Sequence, residues 1–176
     1  MTNALLRRWP SALGLTAAVL VLIFAADRDT ASTAVTVALL CYLGAAAFAR
    51  PWVAWAGVAG FSVVVVAVEL AGVPWWAAFV VVTVLLLGIG LATRAPRRAL
   101  LAQTAAALAY GTPAVLALYL SPLAGAIVAG LALATHAAWD MVHFRRDTVV
   151  PRSLAEACMF LDVPLGIGVI VLAVSG

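Results

Sequence analysis

Three ionisable residues, His136, Asp140 and His143, follow one another at helical spacing in the run THAAWDMVHFRR. At about 100° per residue, steps of four and three residues keep the three side chains on one face of a helix. The chain has only two histidines and seven acidic residues, so both histidines fall on this face. Imidazole and carboxylate groups in this pattern could exchange protons with a substrate or hold a divalent metal ion.

The composition of the surrounding sequence is that of a polytopic membrane protein. Of the 176 residues, 66% are hydrophobic and 10% are charged, and the mean hydropathy is +1.18. A soluble domain carries roughly a quarter charged residues, so that class is excluded. The net charge of +3 is too small and too scattered for nucleic-acid binding. Cys41 and Cys158 lie in apolar runs, and we expect both to be free thiols.

Seven segments of the chain have the length and composition of membrane-spanning helices, which need about 20 mostly apolar residues. Breaks at charged residues, proline and glycine place them at 10–26, 31–49, 52–71, 75–93, 99–120, 122–144 and 153–174. The connections between them are short, so neighbouring helices should run antiparallel with no soluble domain. The sequence therefore predicts an all-α polytopic membrane protein, a single seven-helix transmembrane domain over residues 1–176. This number of spans also allows a three-plus-one-plus-three organisation.

Basic residues assign the two sides of the membrane. Nine of the ten lie at connections on one side, and only Arg28 lies on the other. The nine are Arg7, Arg8, Arg50, Arg94, Arg97, Arg98, Arg145, Arg146 and Arg152. The positive-inside rule then predicts a cytoplasmic N-terminus and an external C-terminus, in what we expect to be a bacterial cytoplasmic membrane. The polar face of the sixth helix accordingly lies toward the cytoplasmic leaflet.

Depth matching adds residues of the seventh helix, which starts at the same side. Asp162 should lie level with His136, and Cys158 level with Asp140. The candidate catalytic residues are therefore His136, Asp140, His143 and Asp162, and the same four are candidate ligands for an ion such as Zn²⁺ or Fe²⁺. Candidate substrate-binding residues are Arg145, Arg146, Arg152, Cys158, Gln103 and Trp139. The three arginines form a basic rim suited to a phosphate or other anionic head group.

These residues favour a small intramembrane enzyme that acts on a hydrophobic, lipid- or isoprenoid-like substrate. Its pocket is expected between the sixth and seventh helices, and its acid–base or metal-assisted chemistry could be a cyclisation, an isomerisation or a hydrolysis. Membrane lipids and the substrate are the expected partners.

Three alternatives stay open. The cluster could relay protons in a proton-coupled or lipid transporter, or the chain could be a structural membrane subunit. The two aspartates could also simply pair with the arginines near the helix ends. Glu69, near the outer end of the third span, is expected to lie too far from the cluster to join it.

Overall fold

The structure is a computed structural model that describes residues 8–176. Over that range it contains seven helices and no strand. They are α1 (Trp9–Phe24), α2 (Arg28–Phe48), α3 (Val53–Leu70), α4 (Trp75–Ala92), α5 (Arg97–Ala117), α6 (Pro122–Arg146) and α7 (Arg152–Ser175). Each predicted span corresponds to one helix. The helices end where the sequence places charged residues, proline or glycine.

Six of these helices, α2 to α7, are long and apolar enough to cross a membrane. The first helix, α1, is shorter at 16 residues. The prediction of an all-helical chain with membrane-length apolar helices is therefore confirmed. The count of seven spans, their orientation and the three-plus-one-plus-three organisation stay predictions.

The most enclosed of the membrane-length helices is α2. In its most apolar stretch 78% of the residues are buried, compared with 11% for α3. It packs against α3, α4, α5, α6 and α7, because small residues such as those of Gly44–Ala47 let other helices approach it from several directions. Residues of α2 are therefore available to a site built on α6 and α7.

Helices α6 and α7 pack backbone against backbone. A Cβ atom added to Gly130 would lie 2.6 Å from the carbonyl oxygen of Gly166, closer than real Cβ atoms come. Glycine at both positions thus allows an approach that any larger residue would prevent. The two helices leave no space between them at this level, and side chains farther along them are brought into contact.

Contacts at the two ends of the bundle show that α1, α3 and α7 begin at one end and that α2 and α4 begin at the other. At one end the rings of Trp9 and Trp55 lie 5.4 Å apart, and Trp55 Nε1 donates to Ser153 Oγ at 3.0 Å. At the other end Trp75 Nε1 donates to Asp29 Oδ1 at 2.7 Å. The first end carries every described arginine except Arg28, and we call it the basic end.

Candidate functional site

His136, Asp140 and Asp162 form one buried group, which we call the three-residue cluster. Their exposed fractions are 0%, 0% and 1%. His136 Nδ1 lies 2.8 Å from Asp162 Oδ2 and donates a hydrogen bond to it. The same nitrogen lies 3.5 Å from Asp140 Oδ2, which is too long for a good hydrogen bond. One ligand atom from each residue falls within 4.8 Å of the other two, so the cluster could hold a metal ion.

Helix register explains why these three side chains meet. His136 and Asp140 are four residues apart on α6 and therefore share a face. His136 lies ten residues before the end of α6 at Arg146, and Asp162 lies ten residues after the start of α7 at Arg152. At 1.5 Å per residue both are about 15 Å from the basic end. The predicted level pairing of Asp162 with His136 is thus what the structure shows.

Tyr42 of α2 holds one side of the cluster. Its hydroxyl donates to Asp140 Oδ1 at 2.7 Å, and the side chain is fully buried. This bond leaves the second oxygen, Oδ2, on the side of His136. Tyr42 is not among the residues predicted for the site. It lies six residues before the end of α2 at Phe48, just as Asp140 lies six residues before Arg146, so depth matching extended to α2 would place it level with Asp140.

Two polar atoms of the cluster have no partner. Asp140 Oδ2 and His136 Nε2 are buried, and no described residue forms a hydrogen bond with either atom. Leaving a buried polar atom unpaired costs about 1–3 kcal/mol. Buried polar groups nearly always find a partner, so an unpaired one calls for an explanation such as a bound ion.

The cluster also has more carboxylates than cationic partners. The described ion pairs of Asp140 and Asp162 are both with His136, and no arginine in residues 8–176 comes within ion-pair distance of either aspartate. Arg152 instead pairs with Asp147 at 3.5 Å, where both side chains are exposed. The interpretation that arginines near the helix ends neutralise the two aspartates is therefore wrong.

His143 belongs to a separate hydrogen-bond network. Its Nδ1 donates to the backbone carbonyl of Trp139 at 2.9 Å, and its Nε2 lies 3.0 Å from the amide nitrogen of Gln103, from which it accepts. Gln103 Oε1 in turn accepts from Trp139 Nε1 at 3.0 Å. Both ring nitrogens of His143 are thus engaged, so we exclude it from the ligand set. Its ring packs on Tyr42 at 4.9 Å between centroids.

The remaining predicted site residues divide between this network, the surface and a cavity. Gln103 and Trp139 contact His143. The rim residues Arg145, Arg146 and Arg152 are exposed at the basic end. Cys158 is partly buried, and both cysteines are free, as predicted. Glu69 is exposed near the end of α3 remote from the basic end, apart from the cluster as expected.

An apolar cavity of about 500 Å³ reaches the cluster at Asp162. Residues of α1, α2, α3 and α7 line it, and Cys41 and Cys158 are among them. The pocket was expected between the sixth and seventh helices, and this cavity differs in position because α6 and α7 are in backbone contact at Gly130 and Gly166. Its walls are formed by α1, α2, α3 and α7 instead. Asp162 is therefore both a member of the cluster and part of the cavity wall.

In comparisons with known proteins, no family model matches the chain, and no curated protein or solved structure matches it either. Function is therefore argued from the geometry and chemistry of the site.

Proposed function

We propose that this protein is a small intramembrane enzyme that acts on a hydrophobic, lipid- or isoprenoid-like substrate by metal-assisted acid–base chemistry. His136, Asp140 and Asp162 hold a divalent ion such as Zn²⁺ or Fe²⁺. The observation that carries the proposal is the unpaired Asp140 Oδ2, a fully buried carboxylate oxygen beside His136 and Asp162.

The distances suit a small transition-metal ion. Zinc binds nitrogen and oxygen ligands at about 2.0–2.1 Å, which in a tetrahedral site separates the ligand atoms by about 3.4 Å. The separations of His136 Nδ1 from the two carboxylate oxygens are 2.8 and 3.5 Å. All three ligand atoms lie within 4.8 Å of one another, so the side chains would have to shift to surround an ion that replaces the Nδ1 proton.

Charge balance supports the same conclusion. Two carboxylates and a neutral imidazole carry a charge of −2, which a divalent cation neutralises. The cluster is buried among apolar helices, where uncompensated charge is strongly unfavourable. The ion would therefore stabilise the folded chain as well as supply reactivity.

Three protein ligands leave a fourth position of a tetrahedral ion for a water molecule or a substrate oxygen. An ion there would polarise the oxygen bound to it. Tyr42 fixes the orientation of Asp140, as the outer hydrogen-bond partners of metal ligands generally do. The side of the cluster open to substrate is the one on which Asp162 lines the apolar cavity.

We further propose that the protein spans a bacterial cytoplasmic membrane seven times, with its N-terminus and basic end in the cytoplasm. Nine arginines at one set of connections support this orientation. The cluster then lies in the cytoplasmic half of the bilayer, below a basic rim that could hold an anionic head group. The longest connection between described helices is 147–151, so the proposed site is built from the helices themselves.

Elemental analysis of detergent-purified protein tests the metal site. We expect about one equivalent of a divalent transition metal in the wild-type protein and its loss in His136→Ala. The matched control is His143→Ala, which removes the other histidine but no proposed ligand and should keep the metal. A metal-free wild-type protein after reconstitution with Zn²⁺ and Fe²⁺, or stoichiometric metal in His136→Ala, would overturn the proposal.

A further inference from the structure

The cavity that reaches Asp162 is a long groove parallel to the helix axes. The residues of α2 that line the groove form one stripe along a helix face. They are Thr30, Thr33, Ala34, Val37, Ala38 and Cys41. From Thr30 to Cys41 the stripe is about 16 Å long. The shape suits a single extended chain that lies along the bilayer normal.

The walls of this groove offer a hydrocarbon surface. The hydroxyls of Thr30 and Ser62, which line it, donate to the backbone carbonyls of Ala25 and Val58 at 2.7 Å each. The remaining lining residues are Asp162, the threonine Thr33, the two cysteines and apolar residues. An occupant therefore needs an apolar body, and Asp162 is the one acidic residue of the lining.

The groove is open toward the bilayer between α1 and α3. Helix α1 packs on α7 and α3 packs on α2, whereas α1 and α3 are not packed against each other along their lengths. Leu13 of α1 and Val66 of α3 line the groove and are still 48% and 55% exposed. At the basic end the gap is closed by the Trp9 and Trp55 rings, and Trp55 is held by its bond to Ser153.

We infer that the substrate enters sideways from the bilayer between α1 and α3 and is a lipid with one extended hydrocarbon chain. This inference rests on the proposed function, since it places the reacting group of the substrate beside Asp162. A group the size of a water molecule or a methylene occupies about 30 Å³. The groove, with a volume of about 500 Å³, therefore holds a chain of on the order of 15 carbons. Two-chain phospholipids are too bulky to enter whole.

A second groove provides an internal control. It has a volume of about 570 Å³ and is lined by residues of α2, α4 and α5, and no residue of the three-residue cluster lines it. An annular lipid should occupy both grooves to the same extent, whereas a substrate should prefer the one that reaches Asp162.

Photolabelling in phosphatidylcholine vesicles tests the inference. The probes are diazirine derivatives of palmitic acid and of geranylgeraniol, and labelled peptides are identified by mass spectrometry. We expect at least one probe to label the walls between α1 and α3 preferentially, and the two probes distinguish acyl from isoprenoid chains. In Ala34→Trp, which fills the groove, labelling should fall by about tenfold or more, as for other steric changes in apolar pockets.

The matched variant is Ala107→Trp, which fills the second groove and should leave this labelling unchanged. If Ala34→Trp does not fold, Ala17→Phe on α1 narrows the same groove and serves in its place. Equal labelling of both grooves, or labelling that neither substitution reduces, would overturn the inference and indicate an adventitious lipid only.

Metal content measured on the same samples separates this inference from the proposed function. Metal-loaded protein without preferential labelling contradicts only the lateral route. Preferential labelling of a protein that binds no metal contradicts the metal-dependent function and leaves the groove as a lipid-binding site.

Discussion

The hydroxyl group of Tyr42 donates a hydrogen bond to Asp140 Oδ1 at 2.7 Å, so a residue of the central helix orients a proposed metal ligand on α6. The bond occupies one carboxylate oxygen, and the other, Oδ2, is unpaired next to His136. Tyr42 does not itself face the ion in this arrangement. It acts as a positioning residue.

Tyr42→Phe should weaken metal binding by about 10–100-fold, the usual effect of losing an outer hydrogen-bond partner of a metal ligand. Competition with a chelator of known affinity would measure the change in detergent. The control is Tyr110→Phe, which should leave metal affinity unchanged. The Tyr110 ring also packs against His136, at 5.3 Å between centroids, but its hydroxyl lies 3.4 Å from the backbone carbonyl of Thr135 and bonds no proposed ligand. Equal metal affinity in Tyr42→Phe and wild type would contradict the assigned role.

Metal should raise the thermal stability of the wild-type protein and not that of Asp162→Asn. An ion that binds only the folded state adds about 2.7 kcal/mol when its free concentration is 100 times the dissociation constant. Replacing the Asp162 carboxylate removes a ligand and one negative charge from the cluster. Differential scanning fluorimetry with and without Zn²⁺ checks this, and a metal-dependent shift of equal size in the variant would count against Asp162 as a ligand.

Gln103→Leu should destabilise the protein by about 1–3 kcal/mol while its metal content stays at the wild-type level. The substitution leaves His143 Nε2 and Trp139 Nε1 buried without their partner, but it does not touch the three-residue cluster. Thermal unfolding and elemental analysis of one preparation give both values. Loss of metal with little loss of stability would place Gln103 at the metal site instead of in a supporting network.

Gly166→Ala should cost about 1–3 kcal/mol through overpacking and should lower metal occupancy. A Cβ atom there would lie 2.8 Å from the backbone nitrogen of Ala134, so α6 and α7 would have to move apart, and with them His136 and Asp162. Gly88→Ala is the matched control, because a Cβ atom at Gly88 meets nothing within 4 Å. Wild-type stability and occupancy in Gly166→Ala would show that this close approach is not needed.

The helices could be predicted from the sequence because apolar runs and their breaks are local properties of the chain. The pairing of His136 with Asp162 could be predicted as well, since helix rise converts residue number into depth. The partners of His143 could not. The Trp139 carbonyl is one turn earlier on the same helix, but Gln103 becomes a partner only through the packing of α5 on α6.

Two further features depend on how helices are arranged around one another. Tyr42 reaches Asp140 because α2 lies at the centre of the bundle, and no local pattern in the sequence gives that position. The groove exists because α1 and α3 stand apart while each packs on another helix. Sequence periodicity alone could not distinguish this arrangement from a closed one.

The central position of α2 has a consequence for biosynthesis. Tyr42 and Asp140 are separated by 98 residues, so at about 5–20 residues per second the ribosome needs on the order of 5–20 s to make the partner of the tyrosine hydroxyl. During that interval the polar side chains of α2 must be accommodated by lipid, by the insertion machinery or by a passing helix. The Tyr42–Asp140 contact therefore forms only after α6 has been made, and a nascent protein halted before α6 would carry a Tyr42 hydroxyl without its partner.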